Sequence, residues 1–491
     1  YSSGKIFVFC KGLCKLMFSK LFPLLDYLYI FQLLEYDRTG LLKWFFKNPL
    51  RRNLQKKNSL DFTLKIQLLA VLTSFIMLSI ATLFALVLFG GSLLGLVLIY
   101  ILFESISPVF IVISSILIAP FDIYSKYRIT QMAKKKLASL KNLKTIAVIG
   151  SFAKTSTKNM LYKLLWKDFY TVKTPKSYNT PVAISKTILS YLKPSTEIFI
   201  VEMDAYHKGD IKNLCKLARP DMAVITAIAP QHLERFGSLE KLAKAQFEVT
   251  QSLGQEGILF LNSMDELTMQ IQEQFDAGKI FFGGELDKFR IENLKSAETG
   301  TSFKLILDKK YVKVELPLPG EHNAYNFLAA AAIAYKLGLP AKTIGERAKL
   351  ILSTEHRLEI THPSFGGKQF TLIDNSYNTN PKVVISSLRL LKETGEGKQK
   401  ILITPGLIEQ GSNAEVENKK FIKLAANVAD EIIIVGESYR EFLRRGLEES
   451  GFPKEKTHFV TSTKSALETA NKIAGENAVV LIENDLPDQY S

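Results

Sequence analysis

The sequence predicts an α/β protein in which membrane-crossing helices precede two doubly wound parallel sheets. Three observations lead there. No charged residue occurs from Ile66 to Phe103, and after Glu104 none until Asp122. From residue 144 short apolar runs ending in small or polar residues alternate with helical stretches, and after "EHRLEI" that alternation starts again. At 491 residues the chain has room for two or three domains with cores of their own.

The N-terminal region is read first. A helix from Leu64 to Phe89 would be about 39 Å long, enough to cross a hydrocarbon layer of about 30 Å. Gly90-Gly91 breaks the run and a second span fits Leu93 to Ala119, so a transmembrane hairpin over about 64–119 is expected. Arg51, Arg52, Lys56 and Lys57 lie before it and Lys126, Arg128, Lys134, Lys135 and Lys136 after it. Cationic flanks stay on the cytoplasmic side, which predicts a multi-pass protein of the cell membrane with everything after residue 122 in the cytoplasm. Residues 6–33 are apolar but interrupted by lysines, as in an interfacial helix or a short span. The chain opens on Tyr1, so a preceding segment is expected. Glu104 and Pro108 fall inside the second span; an intramembrane carboxylate is a functional candidate, and a paired or protonated Glu beside a kink accounts for it equally well.

Charge is placed unevenly. Residues 1–145 hold 19 Lys+Arg and 6 Asp+Glu, which is +13 of the formal +15. The remainder is nearly neutral, which argues against a nucleic-acid surface. Cys10, Cys14 and Cys215 are too few for a disulfide framework, and buried free thiols are expected.

In the soluble part, "KTIAVIG" (144–150) reads as a buried strand and "TSTKNMLYKLLWKDF" as a helix. "EIFIVEMDA" (197–205), "DMAVITAIA" (221–229), "GILFLN" (257–262) and "KIFFGG" (279–284) follow as strands. A second α/β domain opens near residue 357 with "FTLIDNSYNTNP", "QKILITPG", "EIIIVGE", "HFVTS" and "AVVLIEND". The expected domains are 1–140, 141–356 and 357–491. Ligands of such sheets bind at the carboxyl ends of strands.

Between the first strand and helix lies "GSFAKTSTKNM". Backbone N–H groups of such a turn cradle phosphate, with Lys154 reaching the terminal phosphates and Thr155 or Ser156 holding Mg²⁺. An ordinary strand-to-helix turn explains the same residues. The remaining blocks decide between them: "SYNTPVAISKTIL", "VEMDAYHKGDIKNLCKLARPDMAVITAIAPQHLERFGSLEKLAKAQFEV", "LPLPGEHNAYNFLAAAAIAYKLGLP", "HRLE" and "LIDNSYNTNP" occur in one order. Together with the loop, this chain resembles the Mur ligases, and within them the MurF branch that adds D-alanyl-D-alanine. The resemblance is dense over about residues 144–415.

The resemblance implies a central P-loop ATPase domain, a Rossmann-like C-terminal domain and an ATP-dependent carboxylate–amine ligase of peptidoglycan synthesis. ATP would phosphorylate a carboxylate and an amine would then displace phosphate. Lys154, His232 and Arg357 would be catalytic. Gly150, Ser151, Lys154, Thr155, Ser156, Asn179, His322, Asn323, Asn326, Arg357, Asp374, Tyr377 and Asn378 would hold ATP. Thr155, Glu202 and His232 would bind Mg²⁺. The expected partners are ATP, a cell-wall precursor or peptide, lipid-linked in one reading, and the membrane. Read singly, Glu202 or the asparagines are caps and turn residues, and "HNAYNFLAAAAIA" a capped helix.

Four departures from the family pattern stand out. Ala153 replaces the loop glycine, which costs about 1–2 kcal/mol if that position needs positive φ. Gln246 stands where relatives carry a lysine that CO₂ converts to a metal-bridging carbamate, and Lys244, two residues back, points elsewhere. Membrane helices occupy the place of the uridine-nucleotide domain. The tail carries Glu483, Asp485 and Asp488, expected to make the substrate-facing surface acidic, or else to be a solvated tail. Two rival readings follow: a weakened or inactive scaffold that binds nucleotide or precursor, and a ligase of another envelope polymer such as poly-γ-glutamate.

Overall fold

The computed structural model describes residues 23–48, 60–229, 233–297, 299–365, 368–377, 379–408 and 410–484, and every count below refers to these. The chain divides into two compact units, one up to Tyr127 and one from Arg128 onward.

In the first unit, helices Leu24–Leu33 and Arg38–Lys47 precede a long apolar helix, Leu64–Phe89. Thr63 caps that helix by accepting from the Ile66 N–H (3.3 Å). Its end is set by Gly90 and Gly91, both at positive φ (56° and 80°), which a side chain tolerates poorly. The turn falls where the sequence placed it. The second span does not: helix Leu93–Ser105 stops, Ile106 leaves helical geometry, and a new helix runs over Ser107–Ser139. Pro108 has no N–H to donate, a lack that is harmless only in the first turn of a helix, so the chain restarts there rather than running through to Ala119. At about 1.5 Å per residue the Leu93–Ser105 helix is near 20 Å, too short to cross a bilayer by itself. By length and composition two helices are long and apolar enough to do so, Leu64–Phe89 and Ser107–Ser139. Large apolar side chains including Val71, Phe75, Leu83, Val87 and Leu94 point outward from this unit. Two polar contacts lie in its interior: the Thr73 hydroxyl donates to Ser114 (2.9 Å) and the Leu24 N–H donates to the buried Glu104 carboxylate (3.2 Å).

The second unit is built on two sheets. The strands of the first are β1 (Lys144–Ile149), β2 (Thr171–Lys173), β3 (Ile198–Glu202), β4 (Met222–Ile225), β5 (Ile258–Asn262), β6 (Gly278–Phe282), β7 (Phe289–Ala297), β8 (Gly300–Leu307) and β9 (Lys310–Leu316), in the order β2-β3-β1-β4-β5-β6-β7-β8-β9. Pairing is parallel from β2 through β7 and antiparallel from β7 to β9. The antiparallel extension was not read from the sequence, because "FRIENLKSAETGTSFKLILDKKYVKVEL" carries charges on its open face and lacks the continuous apolar runs of buried strands.

Period-two alternation splits β1 between two cores: Ile146 and Val148 join one, Ala147 and Ile149 the other. The first core also receives helix Glu321–Lys336, whose Ala329 to Ala334 are all buried. Cys215 is buried in the second, and burial pushes its thiol up to about 12, as expected of an inert free cysteine.

Beyond it, β10 (Glu359–Thr361), β11 (Ser364–Phe365), β12 (Lys368–Gln369), β13 (Thr371–Asn375), β14 (Lys400–Thr404), β15 (Glu431–Val435), β16 (Thr457–Val460) and β17 (Val479–Glu483) follow. They form a six-stranded sheet, β10-β13-β17-β14-β15-β16, and a β11–β12 ribbon. Only β10 runs antiparallel in the larger sheet. This is the second α/β domain expected from about residue 357.

Glu483 corrects one expectation. It is fully buried at the end of β17, where its carboxylate accepts from Asn375 (3.0 Å) and Thr379. It is therefore part of an interior polar cluster and not of an acidic substrate-facing surface; Asp485 and Asp488 lie outside the described residues. Burial pushes its pKa up to about 6. An acid whose folded pKa exceeds its unfolded one stabilises the fold below the unfolded value, and that contribution is lost as pH rises through about 6. Glu483→Gln should therefore gain on the native protein by about 2 kcal/mol between pH 4 and pH 7, as read from denaturant unfolding at the two pH values.

Candidate active site

The carboxyl ends of β1, β3 and β4 meet the loop 150–153. In register, Val148 lies beside Glu202 and Ile149 beside Ile225, which brings Gly150, Glu202 and Thr226 to one edge. Gly150 has φ of 140°, and a Cβ there would stand 2.2 Å from the Thr226 hydroxyl. That hydroxyl donates to the Phe152 carbonyl (2.5 Å), and the Ser151 N–H donates to the Ala227 carbonyl (2.8 Å), so the loop is pinned to β4. Ala153 follows at φ 65°, ψ −3°, directly before helix Lys154–Leu165. The position does need the left-handed region, and alanine occupies it at a cost of about 1–2 kcal/mol.

Lys154 opens the helix with its ammonium group on the Gly150 carbonyl (2.6 Å) and 3.0 Å from the Asp204 carboxylate. The Thr155 hydroxyl donates to Glu202 (2.9 Å), lies 3.3 Å from the Ser177 hydroxyl, and accepts from the Arg357 guanidinium (3.2 Å) across 202 residues of sequence. Arg357 in turn lies over the Tyr377 ring, 4.3 Å from its centroid. His356 and Leu358 on either side of Arg357 both have positive φ (59° and 54°), a strained backbone that holds the guanidinium at the loop.

Two narrow clefts meet at Phe152 and Arg357. One is lined by Ser151, Lys154, Asn179, Glu202, Asp204 and Tyr377 among others; the other takes in Ala153, Ser156, His322, Asn323 and Asn326. Of the residues expected at the site, the structure thus gathers Gly150, Ser151, Lys154, Thr155, Ser156, Asn179, Glu202, His322, Asn323, Asn326, Arg357 and Tyr377. Burial holds the His322 imidazole down at about 4, so it is neutral at pH 7. Asn323 donates its side-chain amide to the Pro319 carbonyl (2.8 Å), in the turn that precedes its own helix. Asp374 lines neither cleft; it is held by His356 Nδ1 at 2.7 Å, and this pairing raises the His356 pKa. His232 and Asn378 lie outside the described residues.

Sequence reasoning passed over Lys158, one helical turn beyond Lys154. Its ammonium group is fully buried, 2.8 Å from Glu202, and also donates to the Lys176 carbonyl. Burial lowers its pKa, with Glu202 opposing that shift. The signal was present as the second lysine of the loop, four residues on and hence on the same helix face. Asp204, two residues past Glu202, was also missed.

The donor set suits Mg²⁺ and phosphate. Thr155 and Glu202 offer hard oxygen ligands, and Mg²⁺ normally completes its shell with water and substrate phosphates. Among the described residues no group of three or more His, Cys, Asp and Glu side chains gathers for a metal. Gln246 does not supply a further ligand of the carbamate kind: it is completely buried, and neither amide atom has a hydrogen-bond partner. Lys244 pairs with Glu240 (2.7 Å) on the exposed face, so it is no replacement.

Residues 148–334 match the Mur ligase middle domain, and residues 356–483 match the Mur ligase, glutamate ligase domain. The chain belongs to the Mur ligase family. Members of this family are ATP-dependent amide ligases that use Mg²⁺. Among curated relatives of this Mur ligase, a UDP-N-acetylmuramoyl-tripeptide--D-alanyl-D-alanine ligase of Bacillus subtilis is 26% identical over 356 residues, 72% of this chain and 75% of the relative. The ligase of that name in Escherichia coli is 30% identical over 275 residues, 55% of this chain and 60% of the relative. In fold it is like MurF of Acinetobacter baumannii (TM-score 0.65, 23% identity, 73% and 77% of the two chains) and MurF of Thermotoga maritima in complex with ADP (TM-score 0.63, 22% identity, 74% and 80%).

Two measurements check this geometry. Lys158→Met leaves the Glu202 charge buried without its partner and should cost about 3–5 kcal/mol in chemical denaturation, most of it regained in Lys158→Met/Glu202→Leu. Ala153→Gly removes a left-handed Cβ and should stabilise the protein by about 0.5–1 kcal/mol, seen as a raised thermal midpoint.

Proposed function

We propose that this Mur ligase is a membrane-anchored, MurF-like enzyme of peptidoglycan synthesis, which joins a precursor carboxylate to an amine through an acyl phosphate. The single observation that carries the reading is the Thr155 hydroxyl. Glu202 from one strand end and Arg357 from the second domain both bond to it, next to the Lys154 ammonium group. In this reading residues 141–356 form the nucleotide-binding domain, 357–491 the closing domain, and 1–140 the anchor. The apolar helices Leu64–Phe89 and Ser107–Ser139 support the anchor, and the basic flanks favour a cytoplasmic side for the catalytic domains.

The carboxylate oxygen takes the γ-phosphoryl group, ADP departs, and the amine then forms the C–N bond as phosphate leaves the acyl carbon and the amine loses its proton. Bound ATP and Mg²⁺ supply the electrophilic phosphorus and neutralise its oxygens. Lys154 turns from Asp204 to the phosphates, and Arg357 places a second cation on the same group. Thr155 and Glu202 would hold the metal, joined by His232 as the resemblance implies, and Lys158 keeps Glu202 in place. Asn179 orients the phosphate side, while His322, Asn323 and Asn326 flank the nucleotide. Two observations favour the rival scaffold reading, the left-handed Ala153 and the unpartnered Gln246 amide.

Full-length protein supplied with ATP, Mg²⁺ and candidate acceptors should release phosphate only when the amine is present. Lys154→Ala should lower that rate at least about 100-fold. Turnover surviving Lys154→Ala would remove the site assignment, and nucleotide binding without turnover would favour the scaffold. In a slow wild type, Gln246→Lys should raise turnover and make it respond to bicarbonate.

A further inference from the structure

Strand β2 is an edge of the first sheet, and a groove of about 620 Å³ lies beside it. Tyr162, Trp166, Tyr170 and Tyr191 line it together with Lys173 and Lys193. Trp166, Tyr170 and Tyr191 are 44%, 46% and 56% exposed, an unusual concentration of open rings in a concave place. Lys163 and Lys167 hold their ammonium groups 5.7 and 5.5 Å from the Trp166 ring, and Lys173 lies 5.0 Å from that of Tyr162. Of the nearby acids, Asp168 pairs with Arg347, and Glu197 stands at the rim of the groove, accepting from the Tyr170 N–H (2.8 Å). Lys173 is half-buried and donates to the Asn159 side-chain carbonyl, and burial pushes its pKa down to about 8.

Both shape and charge select the ligand. The volume falls in the range of small-molecule sites, about 300–1,000 Å³, whereas a flat membrane surface would not fill a concavity. Open aromatic faces cover the apolar face of a ring, and lysines pair with phosphate. The groove also adjoins the catalytic cleft: Pro175 lines the former and Ser177 the latter, and two residues span at most about 7 Å of chain.

We infer that this groove binds the phosphorylated sugar end of the acceptor, with ring faces on Trp166 and Tyr191 and phosphate on Lys173 and Lys193, so that the attached peptide reaches the cleft with its carboxylate. The inference rests on the ligase reading above and names the part of the acceptor that the second site takes.

The chain has two tryptophans, Trp44 and Trp166, so Trp44→Phe leaves Trp166 as the sole reporter. Full-length Trp44→Phe protein in nanodiscs would be titrated with UDP-N-acetylmuramate in one arm and with the same sugar pyrophosphate on a polyprenol in the other, both without ATP. A saturable change in Trp166 fluorescence, weakened at least 10-fold by Lys193→Glu and by Tyr191→Ser, is the expected result; the arm that binds more tightly identifies the soluble or the lipid-linked source. Lys193 and Tyr191 are exposed, so these variants should keep the wild-type thermal midpoint. No response in either arm, or affinities unchanged in both variants, would overturn the inference. Binding without ligation would keep it while removing the enzymatic reading, and ligation with an acceptor KM indifferent to Lys193→Glu would do the reverse.

Discussion

The site depends on burying charge in pairs. Lys158 and Glu202 are both withdrawn from water at the core of the nucleotide-binding domain. Such a pair is tolerable only while each ion keeps its partner and further hydrogen bonds, because an unpaired buried ion costs several kcal/mol. Glu202 meets this condition by accepting from both Lys158 and Thr155, and Lys158 by donating also to the Lys176 carbonyl. These contacts require β3 to lie beside β1 in register, with helix Lys154–Leu165 leaving β1 at Gly150. Sheet order, loop conformation and site chemistry are therefore one constraint, and a change in any of them would strand a charge.

Around that fixed pair the site keeps strained backbone and ion pairs that a ligand can exchange. Ala153, His356 and Leu358 all hold left-handed backbone at the points where the loop and Arg357 approach each other. Lys154 is satisfied by Asp204 and a loop carbonyl, partners that a phosphate can replace without leaving the ammonium bare. The buried Gln246 amide, with no partner for either atom, is a local deficit of a different kind. An unpartnered buried amide costs the fold about 1–3 kcal/mol.

Much of this was legible in the sequence for identifiable reasons. Buried parallel strands such as "KTIAVIG" and "EIIIVGE" are continuous apolar runs, and their carboxyl ends mark the site directly. Arg357 and Thr155 were readable as separate residues, but their bond across 202 positions depends on the packing of two domains, which no local pattern encodes. Lys158 was passed over, since a lysine on a helix is usually exposed; only the carboxylate at the end of β3 makes its burial possible. Glu483 failed in the same way, being read as tail charge when a cluster of Asn375 and Thr379 holds it inside. Pro108 ended a span that hydropathy alone carried through.

The central claim is that the loop 150–156, Glu202 and Arg357 together hold a triphosphate. A structure of the full chain with a non-hydrolysable ATP analogue and Mg²⁺ tests it most directly. The account predicts the γ-phosphate within hydrogen-bond distance of Lys154 and Arg357, the metal on Thr155 and Glu202, and the Lys158–Glu202 pair intact. A nucleotide bound elsewhere, or phosphates that leave Lys154 on Asp204, would contradict it.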